Sequence, residues 1–93
     1  MIKSFGSKET GNIWHGNRVK KLPMEVQKVG RRKLRMLNNS QDLTDLRVPP
    51  SNRLEKLSGK WRNYYSIRIN NQWRIIFKWK NSQSYEVEIV DYH

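Results

Sequence analysis

Between Glu55 and His93 the sequence carries the side chains from which acid–base chemistry on a phosphate could be assembled: Glu55, Arg74, Asp91, Tyr92 and His93. Histidine is the side chain most readily poised for proton transfer near neutral pH. A phenol donates to phosphate or stacks on a base. Arginine forks fit phosphate oxygens and stabilise charge that develops on them. Each residue also has a plainer reading. A histidine in the ending "VDYH" can be frayed, Glu55 can be a surface charge, and Asp91 can be a solvated carboxylate. Asp91 alternates onto the apolar side of its stretch, where an unpaired carboxylate is costly. It is therefore expected to turn at the strand end and pair with a cation.

Other chemistries find little support. His15 and His93 are far apart without a carboxylate cluster beside either, so no metal and no cofactor is expected. There is no glycine-rich phosphate loop and no serine in a nucleophile setting. With no cysteine there is neither a disulfide framework nor a zinc ribbon. Nineteen Lys and Arg against eight Asp and Glu give a formal charge of +11, which points to a polyanionic partner, nucleic acid first and an acidic protein second. Apolar runs are too short for a signal peptide or a membrane span, so a soluble cytoplasmic protein is expected.

The 93 residues are expected to form one domain, 1–93. Its positioning elements are legible from period. "YYSIRI", "WRIIFKWK" and "YEVEIV" alternate as strands. Tyr65, Ile67, Ile69, Trp73, Ile75, Phe77, Trp79, Tyr85, Val87 and Ile89 are predicted to share the core face. Opposite residues must share a face, so the pairing follows. Ile69 is set opposite Trp73, Arg68 opposite Arg74, Arg74 opposite Val90 one diagonal step from Tyr92, Trp79 opposite Tyr85, and Lys78 opposite Glu86. Like charges directly opposite are unfavourable, so Arg68 and Arg74 either clamp a phosphate or splay into solvent.

Upstream, "MIKSF" is a candidate edge strand. Ser7 and Gly16 bracket a short first helix. "LPMEVQKVGRRKLRMLNN" is the main helix, with Pro23 in its first turn. On a helical wheel Val26, Val29, Leu34, Met36 and Leu37 share one side, with Lys28, Arg31, Arg32 and Arg35 opposite. Lys33 falls inside the apolar arc and is expected to snorkel outward. "SQDLTDL" reads as a short helical turn and "VPPSN" as an extended loop. Leu54 and Leu57 anchor the loop that carries Glu55. The predicted class is α+β, with two or three N-terminal helices on one face of a small, mainly antiparallel twisted sheet.

The segments "NRLEKLSG", "YSIRINNQWRIIFKW" and "EIVDYH", in this order and with "MIKSF" and the basic helix ahead of them, resemble the HigB branch of the RelE/ParE toxin superfamily over nearly the whole chain. The resemblance implies the RelE-like fold and a ribosome-dependent endoribonuclease that cuts messenger RNA. It also implies inhibition by a HigA-like helix-turn-helix antitoxin, through which operator DNA is an indirect partner. "WRIIF" places Arg74 at the superfamily's phosphate-stabilising arginine, and Arg68 matches a position used for the RNA backbone. "DYH" matches the HigB ending and implies roles in cleavage for Asp91, Tyr92 and His93. Some HigB toxins have a histidine between the leucines of the "LxxL" segment, where this chain has Glu55. The YoeB branch uses a glutamate base in a similar setting, which makes Glu55 the candidate base. Lys56 and Ser58 also differ from those toxins, Lys56 remaining a candidate RNA contact beside Lys28, Arg31, Arg32 and Arg35. Two rivals share the basic character: a ParE-like gyrase inhibitor, and an RNA-binding module without catalysis.

Overall fold

The computed structural model describes residues 1–92. Helix α1 (Lys8–Trp14) begins at Ser7, whose hydroxyl accepts the Thr10 N–H. Helix α2 (Met24–Asn39) starts one residue after Pro23, so the proline caps the helix from outside instead of sitting in its first turn. Three 3-10 turns, Leu43–Arg47, Pro50–Asn52 and Gly59–Trp61, lead into and through the sheet strands β1 (Glu55–Lys56), β2 (Tyr65–Arg68), β3 (Trp73–Lys80) and β4 (Gln83–Asp91). The stretch expected as an extended loop is thus partly helical: Pro50 suits the first position of such a turn, where no N–H is needed.

The strands form an antiparallel sheet in the order β1-β2-β3-β4. "MIKSF" runs beside β4 in parallel, bridging at Ile2 to Ser84 and at Phe5 to Val87. Both helices pack on one face. Ile13, Val26, Leu34, Leu37, Leu46, Ile67, Ile75, Phe77, Val87 and Ile89 form the buried cluster between them and the sheet. Each such side chain contributes roughly 1.5–3 kcal/mol by leaving water. A methyl group on Gly30 would lie 3.0 Å from Ile89 Cδ1, so the bare glycine lets α2 sit close to β4. Thr10 links α1 to the same strand, its hydroxyl accepting the Ile89 N–H at 2.9 Å. Among the described residues no helix is long and apolar enough to cross a membrane.

Two further expectations are corrected. The pairings of Trp79 with Tyr85 and of Lys78 with Glu86 do not occur: Trp79 faces Ser84 and Lys78 faces Tyr85, because the register shifts by one between Ile76 and Lys78. The extra residue lies in β4, where Glu86 takes a left-handed φ of 51°, a bulge that reverses the alternation beyond it. Buried Ser84 takes the inward position, and Tyr85 lies outside the core cluster. Asn81 and Ser82, both with positive φ, close the β3–β4 hairpin as a two-residue turn that suits the strands' twist.

The second correction is Lys33, which does not snorkel. It is buried and donates to the Asn52 side-chain oxygen, while the Asn52 amide donates to the Leu46 carbonyl at 3.1 Å. This polar bridge joins α2 to the turns after it. Burial, and then the nearby Arg32 charge, lower the Lys33 pKa.

Asn52→Ala should therefore destabilise the fold by about 1–3 kcal/mol, the cost of leaving a buried donor without its partner, measured as a lower urea midpoint. Because the folded state releases the Lys33 proton more readily than the unfolded chain, the unfolded chain binds more protons between the lowered value and the reference of 10.5. Wild-type stability relative to Lys33→Met should rise as pH is raised through that window, as followed by denaturant titrations at several pH values.

Candidate active site

Arg74 is held on the sheet face opposite the helices. The predicted register around it is present: Arg68 pairs with Arg74, and Arg74 with Val90. The alternation that sends Ile75 and Phe77 inward sends Arg74 outward, beside Ser66 of β2. Its side chain is only 18% exposed, and the groups around it are specific. Nη1 lies 2.6 Å from Glu55 Oε1 and 3.1 Å from the Ser66 hydroxyl oxygen. The guanidinium carbon sits 5.0 Å from the centre of the Tyr92 ring, a cation–π contact.

Glu55 arrives by a route that differs from the expected loop. It lies in the two-residue strand β1, opposite Ser66, between half-buried Leu54 and buried Leu57. With the two leucines placed, strand pairing delivers its carboxylate to the same face as Arg74, half exposed. Tyr92 is fixed from the other side, its N–H donating to the Gln72 carbonyl at 2.7 Å. A carboxylate, a guanidinium and a phenol therefore meet around one patch of sheet. Together they can accept a proton, stabilise an anion and orient or stack a ligand.

The remaining candidates divide. Arg68 donates to the Asn71 side-chain oxygen in the β2–β3 loop, so the opposed arginines splay to different partners and do not form a ready clamp. Asp91 is exposed opposite Trp73, and its Oδ2 accepts from Gln72 at 3.0 Å. Lys56 lies next to Glu55 on β1, its ammonium 2.9 Å from the Arg62 carbonyl and 5.0 Å from the Tyr65 ring centre. His93 lies outside the described residues. Lys28, Arg31, Arg32 and Arg35 line one depression on α2, across the sheet from Arg74. Arg31 is the least exposed of these four, and its Nε is buried without a hydrogen-bond partner. Among the described residues no three His, Asp or Glu side chains gather as a metal cradle.

Ser66 is not among the candidate site residues read from the sequence. A signal was present, because a serine in an apolar-rich strand alternates onto the face of Arg68. Although the bulge sets Lys78 opposite Tyr85, its ammonium still reaches the Glu86 carboxylate at 2.8 Å. That hydrogen bond raises the Lys78 pKa and lowers that of Glu86.

A family model described as "RelE-like toxin of type II toxin-antitoxin system HigB" matches residues 3–93. An uncharacterized protein of Haemophilus influenzae is 44% identical over 69 residues, covering 74% of this chain and 68% of that protein. Toxin HigB-1 of Vibrio cholerae is 43% identical over 58 residues, covering 62% of this chain and only 61% of the toxin's length. Among solved structures, a YafQ mutant from E. coli superposes with a TM-score of 0.61 at 15% identity, over 98% of this chain and 91% of that one. The YoeB-YefM toxin-antitoxin complex from Staphylococcus aureus matches with a TM-score of 0.60 at 17% identity, over 100% of this chain and 98% of that chain. At such identities the structural likeness speaks for the fold alone, two helices on an antiparallel sheet. The family match over nearly the whole length does more: the chain belongs to the HigB family of RelE-like toxins of type II toxin–antitoxin systems.

Proposed function

We propose that this chain is a ribosome-dependent endoribonuclease that cleaves messenger RNA by metal-independent transphosphorylation. The observation that carries this reading is Arg74, held between the Glu55 carboxylate, the Ser66 hydroxyl and the Tyr92 ring. In the resting protein Glu55 occupies the Arg74 fork. A substrate phosphodiester competes for that fork with two non-bridging oxygens that share its negative charge, and its arrival frees the carboxylate beside the reacting 2′-hydroxyl.

Glu55 then takes the 2′-hydroxyl proton, and the oxygen attacks the adjacent phosphorus. Arg74 stabilises the added negative charge, with Arg68 as a further phosphate contact. Tyr92 orients the phosphate or stacks on a base. His93, assigned from the sequence, protonates the departing 5′ oxygen, which leaves a 2′,3′-cyclic phosphate and a 5′-hydroxyl. Asp91 positions the end of β4 through its contact with Gln72.

The α2 stripe of Lys28, Arg31, Arg32 and Arg35, with Lys56 on the other layer, docks RNA by charge, the stripe on ribosomal RNA. An antitoxin partner is supported by the complex seen for YoeB with YefM. A HigA-like helix-turn-helix protein fits the family, with operator DNA reached through it. The reaction belongs to the cytoplasm, where messages are translated.

Arg74→Ala should lower the single-turnover cleavage rate of a ribosome-bound message by about 100- to 1000-fold, as for loss of one oxyanion donor. Unchanged rates would remove Arg74 from the chemistry. Glu55→Gln should cost about 100- to 10,000-fold, the usual contribution of a general base, while leaving message-programmed ribosome binding intact. Reversing charge at Arg31 and Arg32 together should abolish co-sedimentation with ribosomes, and retained co-sedimentation would make the stripe a solvated face.

A further inference from the structure

The outward sheet face holds a second feature beside Arg74 that the proposed chemistry does not use. Trp14, Trp73 and Trp79 pack against the core, whereas Trp61 does not. Trp61 ends the 3-10 turn Gly59–Trp61, which Gly59 enters with a φ of 66° and open space where a side chain would stand. Its backbone is anchored at both ends: its N–H donates to the Ser58 carbonyl at 3.3 Å, and its carbonyl accepts from the Tyr64 N–H at 2.8 Å. Its ring meets Tyr64 edge-on at 5.4 Å. A large, half-buried indole is thus held firmly outside the core.

Trp61 and Tyr92 border one cavity of about 420 Å³ with Val90, Lys60 and Asp91. Val90 is an apolar wall, while the ammonium and the carboxylate supply charge at the border. That volume lies in the range of small-ligand pockets and suits a flat aromatic ring with a polar edge. The cavity shares Tyr92 with the site already described, since the ring of this residue also carries the Arg74 guanidinium. Rings and cations alternate across this face: Lys60 lies 5.4 Å from the Trp61 ring centre, Lys78 lies 5.3 Å from that of Tyr64, and Arg74 lies over Tyr92. Aromatic platforms interleaved with cations are the physical requirement for holding single-stranded nucleic acid, whose bases stack while its phosphates are neutralised.

We propose that Trp61 and Tyr92 form a base-binding subsite that takes the base of a single-stranded RNA nucleotide adjoining the phosphate held at Arg74. The subsite rests on the endoribonuclease reading for its neighbour, but its occupant is defined by stacking and can be tested without cleavage. Trp61 is a binding residue here and touches no reacting bond.

The test uses the full chain and a short single-stranded RNA carrying 2-aminopurine, with 2′-deoxy nucleotides that block transphosphorylation. Wild type and Trp61→Phe should quench the 2-aminopurine fluorescence on binding, and Trp61→Ala should bind about tenfold more weakly, in line with loss of one stacking contact. Equal melting temperatures of the two variants check that the fold is unaltered. In parallel, Trp61→Ala should cut a ribosome-bound message about tenfold more slowly, with Trp61→Phe restoring most of the rate. Absence of quenching by wild type, or equal quenching and cutting by Trp61→Ala, overturns the subsite. Quenching that depends on Trp61 in a protein that cuts no message upholds the subsite and overturns the nuclease reading instead.

Discussion

The site depends on the register between β3 and its two neighbours. Ile67, Ile75 and Ile89 stand in one row across three strands and are all buried against the helices. A slip of one residue would turn that row to water and bring Arg68, Arg74 and Val90 into the core. Burying an unpaired guanidinium is so costly that the slipped pairing is excluded. Hydrophobic burial on one face therefore determines which polar groups meet on the other. Arg74 falls beside Ser66 and beneath Tyr92, and the short pairing of β1 adds Glu55.

The two layers consequently carry different surfaces. The helical layer presents a cationic stripe whose members share one depression, well suited to a large polyanion. The open sheet face presents one guanidinium with a carboxylate partner, bordered by rings. Its two ion pairs, of Arg74 with Glu55 and of Lys78 with Glu86, are short but partly solvated. Such partly solvated pairs contribute little to stability, so they can rearrange around a ligand at little cost to the fold. The buried Lys33–Asn52 bridge, by contrast, sits on the helical side and serves the architecture.

Much of this arrangement was legible in the sequence where periodicity is long. The eight-residue β3 and the sixteen-residue α2 read clearly, and the pairing of Arg68 with Arg74 and of Arg74 with Val90 followed by counting. What escaped was local. A two-residue strand has no period, so Glu55 looked like a loop residue. A bulge at a glutamate with positive φ carries no glycine to announce it, so alternation alone puts Tyr85 on the core face. A helical wheel sends Lys33 to water because it contains no information about Asn52, nineteen residues away. Trp61 carries no site signal in the sequence, because an indole in a short turn is usually core, and only the packed structure separates it from the other three.

The central claim is that this register assembles a site for attack of a ribose 2′-hydroxyl on its own phosphate. It is tested most directly by the chemistry of the ends left when a translated message is cut in the presence of the purified protein and a metal chelator at a level that leaves ribosomes intact. The account predicts a 2′,3′-cyclic phosphate upstream and a 5′-hydroxyl downstream, only when ribosomes are present, and formed far more slowly with Arg74→Ala. A 3′-hydroxyl with a 5′-phosphate, or an intact message, would contradict it.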